Sequence, residues 1–561
     1  MRPIRQHPQA SNAPASPGMG VRRAARPQNA GEDGSAKATH KGIALFALLL
    51  AAFAINLDTT IVNVALPTLA RELHASNSQL QWVVDAYNLV FASVLLAAGS
   101  LSDRVGRKGM LLSGLALFGT ASLAGGLAAD SGQLILARSF MGLGAAMVFP
   151  ATLSLISNLF TERTERARAI GLWGATAGMA IALGPIVGGW LLGHFSWASI
   201  FFAMAPVAAV GGWFVARYVP TSRDPQAQPL DRSGFALSTA ALSLLVFTII
   251  EGPQYGWAST RSVAGFAVAA ALFAGFVAWE RRTAHPMLDV GLFRNLRFSA
   301  ASFSVTVSFF TLLGFIFVIT QYFQLIKHYD PLSTGVHLLP VALSVGVASV
   351  VGTKLAVRFG TKLVVAAGLT MITGFYVWVS SVVSTTTGYS TLAAQMVLYG
   401  IGMGLTSAPA TEAIMGVVPS AKAGIGSAIN DATRLLGGTL GVAVIGSVYA
   451  SVYGHQLASG VSRHLPAHVS ETARSSADAA FVLAGHLAAT GHTALADGIE
   501  HAASQALVAG VSAGSLVAGA VAALGAVVAA ALLPSHPAAP VARVADILPA
   551  EPVLARELQA A

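Results

Sequence analysis

Asp58, Asp85, Arg138 and Asp431 are ionisable residues set inside otherwise apolar runs, and that placement limits what they can do. A charge in hydrocarbon costs several kcal/mol unless it is paired or faces a cavity. A carboxylate in dry surroundings finds its charged form disfavoured, so it can take up and release a proton in the range of cell pH, the more so beside a second carboxylate. Asp58 stands about sixteen residues into the first run, roughly 24 Å along a helix, with Asn56, Thr59 and Asn63 around it. Asp85, in Trp82-Val-Val-Asp85-Ala-Tyr87-Asn88, enters the second run from the opposite end and comes to a similar depth, so the two carboxylates can share one cavity. The plainer alternatives are a helix-to-helix hydrogen bond for Asp58 and a water contact at the membrane interface for Asp85. Asp431 and Arg434 have i,i+3 spacing and can neutralise each other on one helix face. Glu251 and Glu412 fall at run ends and read as interfacial anchors.

The elements that position these residues follow from composition. The chain has 561 residues, of which 54% are hydrophobic and only 10% charged, with a mean hydropathy of +0.66. So much apolar surface needs lipid around it, and a helix crosses the hydrocarbon core with about 20 apolar residues. Fourteen runs qualify, near 42–66, 80–101, 109–129, 132–156, 167–191, 197–218, 234–250, 262–279, 299–324, 334–352, 363–383, 391–411, 425–451 and 507–533; the run near 234–250 is short. Lys and Arg collect in loops on the cytoplasmic side. With both ends inside, only Arg71, Arg261, Lys327, Arg463 and Arg474 fall outside. The net charge of +9 is then topology and not a nucleic-acid footprint.

Residues 1–40, rich in Pro, Ser, Gly and Arg, read as a disordered cytoplasmic tail, and 535–561 as a second tail. No cleavable signal peptide is evident, and the first run reads as a retained anchor. The absence of cysteine excludes disulfides and thiolate metal sites. No Gly-Lys pair occurs, hence no Walker A loop; any pumping draws on an ion gradient. The outer loop 452–506 carries His455, His464, His468, His486, His492 and His501 without obvious spacing for a third ligand, so no metal and no cofactor is expected.

Between the second and third runs lies Gly99-Ser-Leu-Ser-Asp103-Arg104-Val-Gly106-Arg107-Lys108. Gly106 permits a tight bend and Gly99 the close approach of another helix. Asp103 can pair with Arg107 and face a helix N-terminus, which makes a cytoplasmic latch. Arg358-Phe-Gly360-Thr-Lys362 is a degraded copy, with Val357 where Asp103 stands. That repetition divides the chain into six spans, two intervening spans and six spans. In the fifth run the four-residue spacings Gly174/Gly178 and Gly184/Gly188, with Gly189 beside them, put small residues on one face for close packing, and Pro185 bends the helix, as a hinge between halves requires.

The 99–108 loop resembles the signature loop of the major facilitator superfamily. Leu57-Asp58-Thr-Thr-Ile-Val-Asn63-Val-Ala-Leu66-Pro67 is similar to the first-span motif of its fourteen-span drug:proton antiporters. Gly184-Pro185-Ile-Val-Gly188-Gly189 resembles the antiporter motif of the exporting families. Gly424-Ile-Gly-Ser427-Ala-Ile-Asn430-Asp431-Ala-Thr-Arg434-Leu-Leu-Gly437-Gly438 resembles the start of span 13 in the same group. Leu136-Ala-Arg138-Ser-Phe-Met141-Gly142 resembles the span 4 arginine motif of proton-coupled members, with Met141 where a glutamine is usual. The resemblance implies proton coupling through Asp58 first and Asp85 second, proton transfer at Arg138, and a further acidic contact for divalent cations at Asp431.

The expected molecule is an all-α integral membrane protein of the major facilitator fold: an N-terminal six-helix bundle (41–218), two intervening helices (219–298) and a C-terminal six-helix bundle (299–534). The expected activity is not enzymatic: proton-coupled export of small hydrophobic, cationic drugs across the cytoplasmic membrane, with protons and lipid as the other partners. The alternatives are a dedicated exporter of one endogenous metabolite or antibiotic, and a non-transporting membrane sensor or scaffold. Trp82, Phe149, Tyr322 and Phe323 are candidate cavity-lining aromatics.

Overall fold

The computed structural model describes residues 30–223, 231–284, 286, 288, 290–418, 423–460, 473–474 and 476–535. Arg463, His464 and His468 of the long loop, and the tails 1–29 and 536–561, lie outside them. The apolar runs fold as helices because a chain in lipid must satisfy its backbone hydrogen bonds within each segment. In chain order these are α1 (Ala30–Glu72), α2 (Asn77–Val105), α3 (Arg107–Gly126), α4 (Ser131–Leu159), α5 (Arg163–His194), α6 (Ala198–Tyr218), α7 (Arg232–Tyr255) and α8 (Thr260–Glu280). They continue with α9 (Leu296–Gln321), α10 (Pro331–His337), α11 (Leu339–Phe359), α12 (Thr361–Val382), α13 (Tyr389–Val417), α14 (Ala423–Gly460), α15 (Ala477–Ala489) and α16 (Thr493–Leu532). Polar side chains start several of them: Ser76 and Gln79 form a capping box on α2, and Asp130, Asp231, Ser259 and Asn295 cap α4, α7, α8 and α9.

Among the described residues twelve helices are long and apolar enough to cross a membrane, the short run near 234–250 among them as part of α7. The other two of the fourteen expected positions are α5 and α13, helices of comparable length. Both are rich in Gly and carry a proline inside the continuous helix, Pro185 or Pro409, and the small residues allow close helix contact. Helix α1 starts at Ala30, ahead of its membrane-length part from Lys41.

Helices α1–α6 pack on one another through α1 with α5 and α6, α2 with α4, and α3 with α4 and α6. A second set forms through α9 with α14, α13 and α16, α11 with α13, and α12 with α13 and α16. The α7–α8 hairpin touches both sets, α7 lying against α2 and α14. Gln254 donates to Ser78 (2.7 Å), Trp82 to Glu251 (3.1 Å), and Trp257 to Ser451 (3.2 Å). Trp82 is therefore an anchor for α7, with Glu251 as its acceptor.

The suggested repeat has a structural counterpart. Gly106 (φ +123°) and Gly360 (φ +89°) both end one helix and start the next in a backbone region that favours glycine. After each, the next N–H donates to a serine carbonyl just beyond the last helix of its set: Arg107 to Ser222 (2.9 Å) and Thr361 to Ser535 (2.8 Å). Each set is thus closed on the same side of the molecule, called here the loop side, by its own returning chain.

Candidate functional site

The site is built where α1, α2 and α4 meet. Gly142 has no room for a side chain against the Tyr87 carbonyl, so α4 approaches α2 closely there. Arg138, one turn earlier on the same face, then lies over the Tyr87 ring, its guanidinium carbon 4.4 Å from the ring centre. Its Nε donates to the Val83 carbonyl (2.9 Å) and its Nη1 to Asp58 Oδ2 (2.5 Å). Both side chains of this ion pair are 0% exposed. Tyr87 Oη donates in turn to the Ile55 carbonyl of α1 (3.0 Å). Asp58 Oδ1 and Arg138 Nη2 have no hydrogen-bond partner, so the pair is monodentate. The arginine thus ties α4 to a backbone carbonyl of α2 and a carboxylate of α1.

Asp85 does not join this pair through a hydrogen bond. It too is buried, and neither carboxylate oxygen has a partner. Two residues from Val83 and Tyr87 along α2, it faces away from Arg138; four residues from Gln81, it shares that residue's face. Gln81 lies against Gly446 and accepts from Ser447 of α14 (3.3 Å), and Ser447 is held by the Ile249 carbonyl of α7 (2.8 Å). Asp58 is thus enclosed within the first set of helices, while Asp85 sits on the α2 face turned to the second set.

Asp431 occupies a third place. It is buried on α14 with Arg434 Nη1 at 3.8 Å, and Arg434 also donates to Thr411 of α13 (3.2 Å). In the 99–108 loop Asp103 Oδ1 accepts from Arg107 Nε (2.7 Å), Arg107 Nη1 donates to Ser222 Oγ (2.9 Å), and Lys108 donates to the Ala216 carbonyl (2.8 Å). Arg104 is exposed. Gly99 faces Pro150 of α4.

The α5 glycines mark a seam. Gly184 and Gly188 lie against Thr60 and Ile61 of α1, Gly189 against Pro331 and Leu332 of α10, and Pro185 against Gly335. The α5 backbone is therefore wedged between α1 and the second set. On the same far side Gln324 donates to the Val64 carbonyl (2.8 Å), and Arg71 of α1 pairs with Asp478 of α15 at 3.2 Å. Burial pushes the Asp478 carboxyl up to about 6 against the lowering pull of Arg71. Tyr87, Ser222, Gln81 and Asp478 were not singled out from sequence; for Tyr87 the signal available was its i+4 spacing from Val83.

Two packed sets of membrane-length helices, charges sealed between helices and a seam of glycine contacts define a polytopic carrier: a membrane transporter, not an enzyme. A model of the Major Facilitator Superfamily matches residues 48–442. The chain is 36% identical over 424 residues to the multidrug resistance protein Stp of Mycobacterium tuberculosis, covering 76% of this chain and 79% of that one. It is 32% identical over 472 residues to the methyl viologen resistance protein SmvA of Salmonella typhimurium, covering 82% and 92%. Among solved structures, a bacterial homologue of the lysosomal transporter Spinster, inward-facing and unoccupied, superposes with a TM-score of 0.60 over 87% of this chain and 97% of that one, at 17% identity. The chain belongs to the major facilitator superfamily, among relatives of the multidrug efflux type.

Proposed function

We propose that this transporter exports hydrophobic, cationic drugs by proton antiport across the cytoplasmic membrane, with the loop side and both termini in the cytoplasm. The observation that carries the reading is the sealed Asp58–Arg138 pair. A proton delivered to Asp58 removes the counter-ion of Arg138, which keeps only neutral partners such as the Val83 carbonyl and the Tyr87 ring; a positive charge so left in a dry site favours any rearrangement that rehydrates it. Proton uptake at Asp58 thereby becomes a change in how α4 sits against α1 and α2. Asp85, unpaired on the α2 face turned to α14, supplies a carboxylate for the cation at the junction of the two bundles, 41–218 and 299–534. These bundles rock about the α5 seam, with the Asp103–Arg107 latch steadying the cytoplasmic ends. Methyl viologen, named in one relative, is a flat dication, which supports the substrate class.

The test is efflux of ethidium from pump-deficient cells carrying wild type, Asp58→Asn or empty vector, with and without a protonophore. Protonophore-sensitive efflux that Asp58→Asn loses at equal membrane expression is the expected result. Wild type indistinguishable from empty vector across several lipophilic cations overturns broad drug export and favours a single endogenous substrate.

A further inference from the structure

A recess lies wholly within the second set of helices, lined by residues of α9 and its π-helical extension, of α12 and the turn after it, and of α13, α14 and α16. Phe315, Tyr322, Phe375 and Tyr376 form much of its wall. The two tyrosine hydroxyls are already engaged, Tyr376 donating to the Thr311 carbonyl (2.7 Å) and Tyr322 to the Ser384 carbonyl (2.6 Å), so both rings contribute apolar surface. Phe315 and Phe375 meet edge to face, 5.4 Å apart at 83°. No lining residue is ionisable at neutral pH. The free space within this wall is small, room for a single ring at most.

One polar side chain in this wall stands out. Gln395 of α13 is 2% exposed, and neither its Oε1 nor its Nε2 has a hydrogen-bond partner. A buried amide left unpaired is costly, and such groups are rare in folded proteins. An apolar chamber whose polar side chains, the tyrosines aside, are the unpaired Gln395 amide and the Ser515 hydroxyl matches a ligand that is flat, apolar and neutral apart from one hydroxyl, amine or amide. We infer that the Gln395 recess is a subsite for an uncharged, single-ring aromatic group bearing one hydrogen-bonding substituent, separate from the carboxylates Asp58 and Asp85. The inference rests on the export reading and extends it: the first set of helices handles charge, and the second offers a berth for a neutral ring.

The test uses purified full-length protein in detergent, titrated with 4-fluorophenol and with fluorobenzene and followed by fluorine NMR against protein-free micelles. Wild type is expected to bind the phenol about tenfold more tightly than fluorobenzene, equivalent to 1.4 kcal/mol. In Gln395→Leu the two ligands bind alike, and the melting temperature equals or exceeds that of wild type because an unpaired amide has been removed. A retained tenfold preference in Gln395→Leu, no saturable binding to wild type, or a lowered melting temperature in the variant each overturns the proposal. Ethidium efflux in cells separates the two readings: Gln395→Leu keeps it at the wild-type level if both hold. Its absence from wild type defeats drug export without touching the binding result.

Discussion

Asp58 and Arg138 are coupled tightly enough for the coupling to be measured. Each side chain is fully buried, and unit charges about 4 Å apart interact by about 4 kcal/mol at the effective dielectric suited to protein sites. Removing one partner of such a pair costs about 3–5 kcal/mol because the other charge is left bare. Asp58→Asn leaves the guanidinium only neutral acceptors and the Tyr87 ring, with no counter-charge; Arg138→Met leaves a carboxylate with no donor. The double variant buries no charge and should recover much of the loss. A cycle of Asp58→Asn, Arg138→Met and the double variant, followed by thermal unfolding of purified protein in one detergent, is therefore expected to show the double variant more stable than either single one, with a coupling of about 2 kcal/mol or more. Strictly additive losses would refute the argument, since they would mean that the charges are hydrated in the protein as it exists.

Gly142→Val should lower stability by at least the 1–3 kcal/mol typical of overpacking, since the new side chain meets the Tyr87 carbonyl; wild-type thermal stability would contradict the α2–α4 contact. Gly106→Ala forces a side chain into a φ of +123°, at about 1–2 kcal/mol, and should loosen the Arg107–Ser222 closure, read as faster amide exchange at Arg107. Asp478 has a folded value of about 6 against an ordinary 3.8. The fold thus holds the proton more firmly than the unfolded chain does, and this contribution to stability falls as pH rises from about 4 to 6. Asp478→Asn should flatten the dependence of melting temperature on pH over that window without destabilising the protein at pH 7.5; an unchanged slope would contradict the burial of Asp478.

Much of this architecture was legible because lipid imposes simple demands. Apolar length marked the helices, and the glycine spacing in α5 marked the seam with α1 and α10. The weak match between Arg104–Lys108 and Arg358–Lys362 pointed to two turns that share a positive φ and a serine-carbonyl closure. Depth along the helices brought Asp58 and Asp85 to one level, but depth says nothing about azimuth. Side chains at 83, 85 and 87 leave α2 on opposite sides, so one carboxylate meets Arg138 and the other turns toward α14. The Arg138 partners were equally hidden, because a contact between residues 58 and 138 depends on how closely α4 packs, and that depends on Gly142. Gln395 gave no signal at all: a single amide in an apolar run looks like any other until its neighbours prove unable to bond it.

The central claim is that a proton at Asp58 is exchanged for a drug, and proton movement tests it most directly. Everted membrane vesicles from cells expressing wild type or Asp58→Asn would be energised by respiration, and the fluorescence of a trapped pH dye followed as ethidium is added. The account predicts drug-induced proton release in wild type and none in Asp58→Asn at equal protein levels. Proton release of equal size in Asp58→Asn, with Arg138 intact, would contradict it.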